Sequence, residues 1–353
     1  MSDFSILISA QKGDKFEHFI PATYEGVEWN IPRKGSPSRL TCTVIKDKLM
    51  GEIGFHEGDE IRLLYKGQPV FKGNIFEKDR DKYHHITITA YDQLRYLKNK
   101  FSYTLKGMRH DKIIQRIFDD EKLVYEFVPT MTTISQRNYA ELETYFDIIY
   151  RALDEHSLAK GKLISDYTDL YTMFDDAGVI KLKRLDEMVV DILIDQTAAE
   201  NFKYKSSIDE QTYNEILFYS EIEGQSTNSQ KTSSKKDVSN LKLTGQAVST
   251  DPNVKADRIG KLRYVEKYDG NPAQAQYMAE KYLEFYGRKS RSLTIDNVFG
   301  DIRVRGGSLI PVNLNLGDVQ VDNNPMVVDE VTHIIDNDHH YMNLTLIGNK
   351  DWW

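Results

Sequence analysis

The chain has one cysteine, Cys42, in 353 residues. A lone cysteine excludes an internal disulfide and any cysteine-rich zinc site. No apolar run approaches the roughly 18 residues that a membrane-spanning helix needs, so no membrane-spanning segment is expected. Basic charge is short too: 46 Lys and Arg stand against 54 Asp and Glu, a formal net charge of −8. A general nucleic-acid binder would carry a basic footprint. Acidic walls can still let a nucleic acid slide past without holding it. The stretch from Met1 to Phe16 lacks a basic start and a long apolar core, so it is not read as a signal peptide. Folding in a cytoplasm is the default that follows.

Aromatic residues, in contrast, are plentiful. The chain holds 21 Tyr and 15 Phe, and 40% of it is hydrophobic, which is the composition of a folded protein. Its length exceeds one comfortable core, so two or three domains are expected.

The first hundred residues read as strands. Phe4–Ser9 and Leu40–Ile45 are β-rich runs. Ile61–Tyr65 and Val70–Phe76 flank the turn Lys66-Gly67-Gln68-Pro69, a hairpin signal. Between Tyr83 and Tyr91, Ile86, Ile88 and Ala90 alternate with Thr87 and Thr89. Short strands at this spacing suggest a small barrel or sandwich.

The middle changes period. Asp111 is expected to cap a helix whose Ile113, Ile114, Ile117 and Phe118 share a face. A stronger helix is expected from about Tyr139 to Ala159, where Leu142, Tyr145, Phe146, Ile149, Tyr150 and Leu153 recur at threes and fours. Asp169–Phe174 and Val179–Leu185, around Asp175-Asp176-Ala177-Gly178, read as a hairpin.

Strands return in the last third: Thr212–Ile222, Leu262–Lys267, Ser292–Ile295, Ile302–Val304, Leu309–Leu314, Met326–Ile335 and His340–Ile347. The stretch 223–240 is dominated by Ser, Thr, Gln, Asn, Gly and Lys and reads as a mobile loop. Pro272 suits a first helical position, and Gly287 marks the end of the helix that it opens. Turns are expected at Gly58-Asp59, Arg305–Ser308 and Leu316-Gly317-Asp318.

The fold class is therefore α+β and predominantly β. The expected domains are 1–100 (β), 101–205 (with helices) and 206–353 (β, with one helix at about 272–286).

Sites of chemistry are harder to find. His333, His339 and His340 cluster with Asp329, Asp336 and Asp338, a set that could ligate a metal. Adjacent histidines on a strand point to opposite faces, however, so a polar hairpin is the better reading and no metal site is expected. Cys42 lies between two threonines in a strand and reads as a buried small side chain rather than a nucleophile. Acidic pairs such as Asp119-Asp120-Glu121 are explained by caps and turns. Gly306-Gly307 and Gly51–Gly54 lack the ending of a phosphate loop. No catalytic residue and no cofactor are assigned.

One ordered set of motifs resembles a known family. It starts with Gly58-Asp59-Glu60-Ile61, Tyr65-Lys66-Gly67 and Val70–Ile75, then Ile86–Leu97. Lys205–Glu210, Tyr213–Ile216, Ala275–Leu283, Asp301–Ser308, Met326–His333 and His340–Leu346 follow in order. Together they resemble baseplate hub proteins of contractile phage tails and phage-tail-like bacteriocins, of the late-control-protein-D type. The resemblance implies a homotrimer in which each subunit supplies two tail-tube-like β-barrel domains. The resulting pseudo-hexameric ring would join the tail tube protein to the central spike protein. Baseplate wedge or tape-measure components would be further neighbours, with DNA passing through the lumen unbound. It implies a tail-baseplate location after synthesis in the bacterial cytoplasm. Some relatives carry a peptidoglycan-cleaving domain, and with the sequence ending at Asp351-Trp352-Trp353 none is expected here. The rival readings are a peptidoglycan-directed hydrolase using Asp and Glu of the middle segment, and a tail-assembly chaperone. The candidate assembly interface comprises Trp352, Trp353, Phe71 and Ile75; the terminal Trp pair is costly on a free surface.

Overall fold

Alternating side chains shape the N-terminal part. The computed structural model describes residues 3–45, 54–160, 170–198, 200–209, 212–221, 241–268, 272–315, 320–336 and 339–348. Its first seven strands are β1 (Phe4–Lys12), β2 (Lys15–Phe19), β3 (Thr23–Pro32), β4 (Arg39–Ile45), β5 (Glu60–Tyr65), β6 (Gln68–Arg80) and β7 (His85–Tyr91). In β7 every second residue, Ile86, Ile88 and Ala90, is buried, as alternation requires. The β5–β6 hairpin turns on Lys66 and Gly67, both at positive φ (49° and 78°), so that Tyr65 pairs with Gln68. Two positive φ values are what a two-residue turn needs to match strand twist.

The middle segment contributes β8 (Lys100–Thr104), α1 (His110–Asp120), β9 (Tyr139–Thr144), α2 (Tyr145–Ala159), β10 (Tyr171–Asp175) and β11 (Ile180–Arg184). Its core is separate and joins Ile113, Ile114, Ile117 and Phe118 of α1 to Phe146, Ile149 and Leu153 of α2. Two expectations change here. Asp111 is not the cap: the helix starts at His110 behind Arg109, and Asp111 sits in the first turn, paired with the Arg109 guanidinium. The expected helix from Tyr139 begins only at Tyr145. Tyr139–Thr144 instead pairs with β8, and Leu142 stands 74% exposed at φ 52°. The hairpin β10–β11 forms as expected, through Ala177 and Gly178 at positive φ.

The C-terminal part holds β12 (Ile194–Asp195), β13 (Asn201–Ser207), β14 (Glu215–Glu221), β15 (Leu241–Val248), α3 (Ala256–Ile259), β16 (Arg263–Lys267), α4 (Pro272–Tyr286), β17 (Ser290–Phe299), β18 (Leu309–Asn315), β19 (Gln320–Asp336) and β20 (His339–Ile347). Ile302–Val304, expected as a strand, is a turn in which Asp301 accepts from the Arg303 backbone N–H at 2.9 Å. The turn Leu316-Gly317-Asp318 and the stretch 223–240 lie outside the described residues.

The two β-rich ends meet in one sheet of thirteen strands, ordered β13-β17-β20-β19-β3-β4-β7-β6-β5-β1-β2, with β18 and β12 branching from β19. The junction is β3 against β19, where Trp29 lies opposite His333 and Ile31 opposite Val331. One core runs beneath both ends, from Ile6 and Ile61 to Leu344 and Leu346. The strands of residues 4–91 and those of 194–207 and 290–347 thus share one sheet and one core. At the junction β3 carries a bulge between Tyr24 and Val27. Gly26 sits there at φ 82°, and a Cβ on it would lie 2.7 Å from the Ile335 carbonyl oxygen.

A small unit is inserted at the tip of the β13–β17 hairpin. Ser207 pairs with Ser290, and the chain between them forms the sheet β15-β14-β16 backed by α4. Pro272 does open α4, and Gly287 closes it by donating its N–H to the Leu283 carbonyl at 2.6 Å.

Candidate functional site

The histidines expected at the C-terminal hairpin come together at the seam. His333 is fully buried on β19, and its Nε2 donates to the Val304 carbonyl at 2.9 Å. That assigns its Nδ1 as an acceptor, so His340 Nε2–H donates to it at 2.9 Å. Burial, and after it the nearby His340, pushes the His333 pKa down to about 3. His340 is lowered as well, chiefly by burial. The Trp29 ring stacks on His333 with centroids 5.1 Å apart. His339 points the other way and stacks on Tyr341. The cluster is therefore a neutral hydrogen-bonded pair joining β19, β20, β3 and the Val304 turn. Among the described residues no group of three or more His, Cys, Asp and Glu is placed to hold a metal.

A second polar centre ties the N-terminal half to the middle segment. Asp92 is 2% exposed; its Oδ2 accepts from Ser38 N–H and its Oδ1 from Leu94 N–H, each at 3.0 Å. Asp175, 6% exposed, accepts from Gln93 Nε2 at 2.6 Å and from Gly178 N–H at 2.6 Å. Burial first, and then the charge of Asp175, raises the Asp92 pKa; burial likewise raises that of Asp175. A carboxyl whose folded pKa exceeds its unfolded value keeps its proton longer in the folded state. Its stabilising contribution is present below about pH 4 and is lost as pH rises through the folded value. Stability monitored by thermal unfolding is expected to fall with pH from this pair. Asp92→Asn, at some cost at every pH, should flatten that part of the profile. An unchanged slope would show that the pair does not titrate in this way.

A third network lies inside the middle segment. The Thr133 hydroxyl sits 2.7 Å from His110 Nδ1 and 2.6 Å from His156 Nδ1. One hydroxyl has one hydrogen, so it donates to one ring and accepts from the other. His110 Nε2 donates to Glu155 Oε2 at 3.0 Å, and that oxygen also accepts from the Gln136 backbone N–H at 3.2 Å and the Ser135 hydroxyl at 3.3 Å. The connectivity is that of a hydroxyl, an imidazole and a carboxylate in series. Its bonds run from the loop 131–137 to His110 of α1 and to Glu155 and His156 of α2.

The expected interface residues part company. Phe71 and Ile75 are 2% and 1% exposed and fill this chain's own core. The alternation of β6 turns them inward, where they are not available to another subunit. Trp352 and Trp353 lie outside the described residues. Cys42 is buried, and burial pushes its thiol pKa up to about 12, which suits a core side chain and not a nucleophile.

The sequence leads one to expect strand edges that neighbours in a ring would cover, and the sheet has two ends. Among the described residues, β2 at one end pairs only with β1, and β13 at the other only with β17. The end strand of a sheet is a ready-made surface for another chain. On β2, Phe16 is 60% exposed.

The architecture agrees with known tail proteins. The chain superposes on the tail protein of Neisseria meningitidis MC58 with a TM-score of 0.62 at 13% identity, covering 99% of this chain and 98% of that one. The 43 kDa tail protein of prophage MuSo2 from Shewanella oneidensis matches with a TM-score of 0.59 at 9% identity, over 97% and 98% of the two chains. In sequence, the phage-like element PBSX protein XkdQ of Bacillus subtilis strain 168 is 27% identical over 325 residues, 90% of this chain and 87% of that protein. The family model described as YqbQ-like matches residues 27–347, and the chain belongs to that family.

Proposed function

We propose that the protein is a non-enzymatic hub of a phage-type tail baseplate, acting as a trimer. Three copies would make a pseudo-hexameric ring that joins a sixfold tail tube to a threefold central spike, in a phage or a phage-tail-like particle. The observation that carries this reading is the single sheet, whose end strands β2 and β13 each have one strand neighbour among the described residues. Copies arranged head to tail in a ring would cover such ends. The match to tail proteins over nearly the whole chain supports the same reading. On it, the tube protein, the spike and the wedge or tape-measure components are the partners, and any DNA passes through the lumen without specific contacts.

Native mass measurement tests it. A trimer is expected, either alone or once tube and spike proteins are added. A stable dimer indifferent to both would overturn the proposal, and so would clearing of purified cell wall in a zymogram.

A further inference from the structure

The inserted unit has one covered sheet face and one open face, and the register assigns the side chains to each. Ile216 and Phe218 of β14, Ala247 of β15 and Tyr264 of β16 face α4 and form the small core. On the opposite face three rows run across the sheet. They are Arg263–Glu215–Val248, Val265–Leu217–Gln246 and Lys267–Tyr219–Leu243. Val265 is 58% exposed, Val248 49% and Leu243 41%. These open aliphatic side chains stand on the two outer strands, on either side of Leu217 of β14, and together mark an interaction surface.

The charges around this patch are mainly of one sign. Glu215 is the only carboxylate in the three rows, and it is already paired with Arg263 and approached by Lys261 at 3.8 Å. A partner surface should therefore carry apolar side chains among carboxylates. Two copies of the same face would bring base against base.

The chain itself carries the complementary surface, where α1 ends in the middle segment. Val124 is 58% exposed and Phe127 61% exposed. Asp119, Asp120, Glu121 and Glu126 accompany them, against Lys122 in the same segment, Arg116 at 3.7 Å from Asp120 and Lys181 at 3.7 Å from Glu126, so carboxylates outnumber bases.

We propose that these two surfaces meet between copies: the open β-face around Val265 of one subunit docks on the acidic apolar segment around Val124 and Phe127 of the next. The contact joins two different surfaces, and head-to-tail contacts of that kind close rings. The inference rests on the ring reading above and specifies one of its contacts.

Val265→Asp and Phe127→Asp test it, since both side chains are more than half exposed and each variant should melt close to the wild type. Native mass spectrometry of the full chain, with tube and spike proteins added if the chain alone is monomeric, is the measurement. Each variant alone should lose the trimer, with association weakened about tenfold or more. Mixed in equal amounts, the two should form a one-to-one complex, because one intact contact remains between them. Variants that both keep the wild-type trimer would overturn this contact and leave the ring reading standing. A wild-type chain that never trimerises, with or without tube and spike, would remove the ring reading and this contact with it.

Discussion

Replacing Trp29 with alanine should lower the unfolding free energy of the large sheet by about 4 kcal/mol, the usual size for a buried tryptophan lost to a cavity. Trp29 is 2% exposed in the central strand β3, stacked on His333 and edge-on to Phe71 with centroids 6.3 Å apart. It therefore touches both halves of the sheet. Its indole Nε1 is buried without a hydrogen-bond partner among the described residues. Trp29→Phe forfeits volume but no hydrogen bond, so its expected cost is smaller, about 1.5 kcal/mol. Denaturant unfolding followed by a probe in the large sheet measures both. The middle segment has its own core, so a transition belonging to it should move little. An alanine variant within 1 kcal/mol of the wild type, on the order of a small surface change, would show that the seam is not held by this ring.

The sequence made β7, the β5–β6 hairpin, the β10–β11 hairpin and α4 readable because each is specified locally, by alternation, by turn residues or by a first-turn proline. β3 was not readable, although it is the strand that unites the sheet. Its inward residues Val27, Trp29 and Ile31 do alternate, but the bulge at Gly26 breaks the pattern before a long enough run accumulates. β9 was misread for the opposite reason. Leu142, Tyr145 and Phe146 continue the spacing of α2 backwards into residues that the β8 ladder claims, and pairing overrode local periodicity there. The polar centres are less local still. His333 and His340 are brought together across the β19–β20 hairpin, as the polar-hairpin reading of this cluster expects, while their bond to each other and to the Val304 turn follows from no spacing. His110, Thr133 and Glu155 come from three separate segments, and no spacing rule joins them.

Glu155→Ala tests whether that last network holds the middle segment together. The side chain is 9% exposed, and its Oε2 accepts from His110, Ser135 and Gln136. Alanine removes the acceptor but leaves the His110 Nε2–H and the Gln136 N–H behind in a place that water reaches poorly. Stranded donors are costlier than a missing pair, and the expected loss is about 3 kcal/mol. Glu155→Gln keeps one acceptor oxygen, so about 1 kcal/mol is expected for it. Hydrogen exchange locates the effect. Amides between Met131 and Arg137 should exchange about a hundredfold faster in the alanine variant, while those of β19 and β20 stay protected. Faster exchange spread evenly over the large sheet would mean that Glu155 acts on the whole chain. Unchanged exchange in the loop would mean that Met131–Arg137 is fastened by its apolar contacts, with Met131 fully buried in the middle core, and not by the carboxylate.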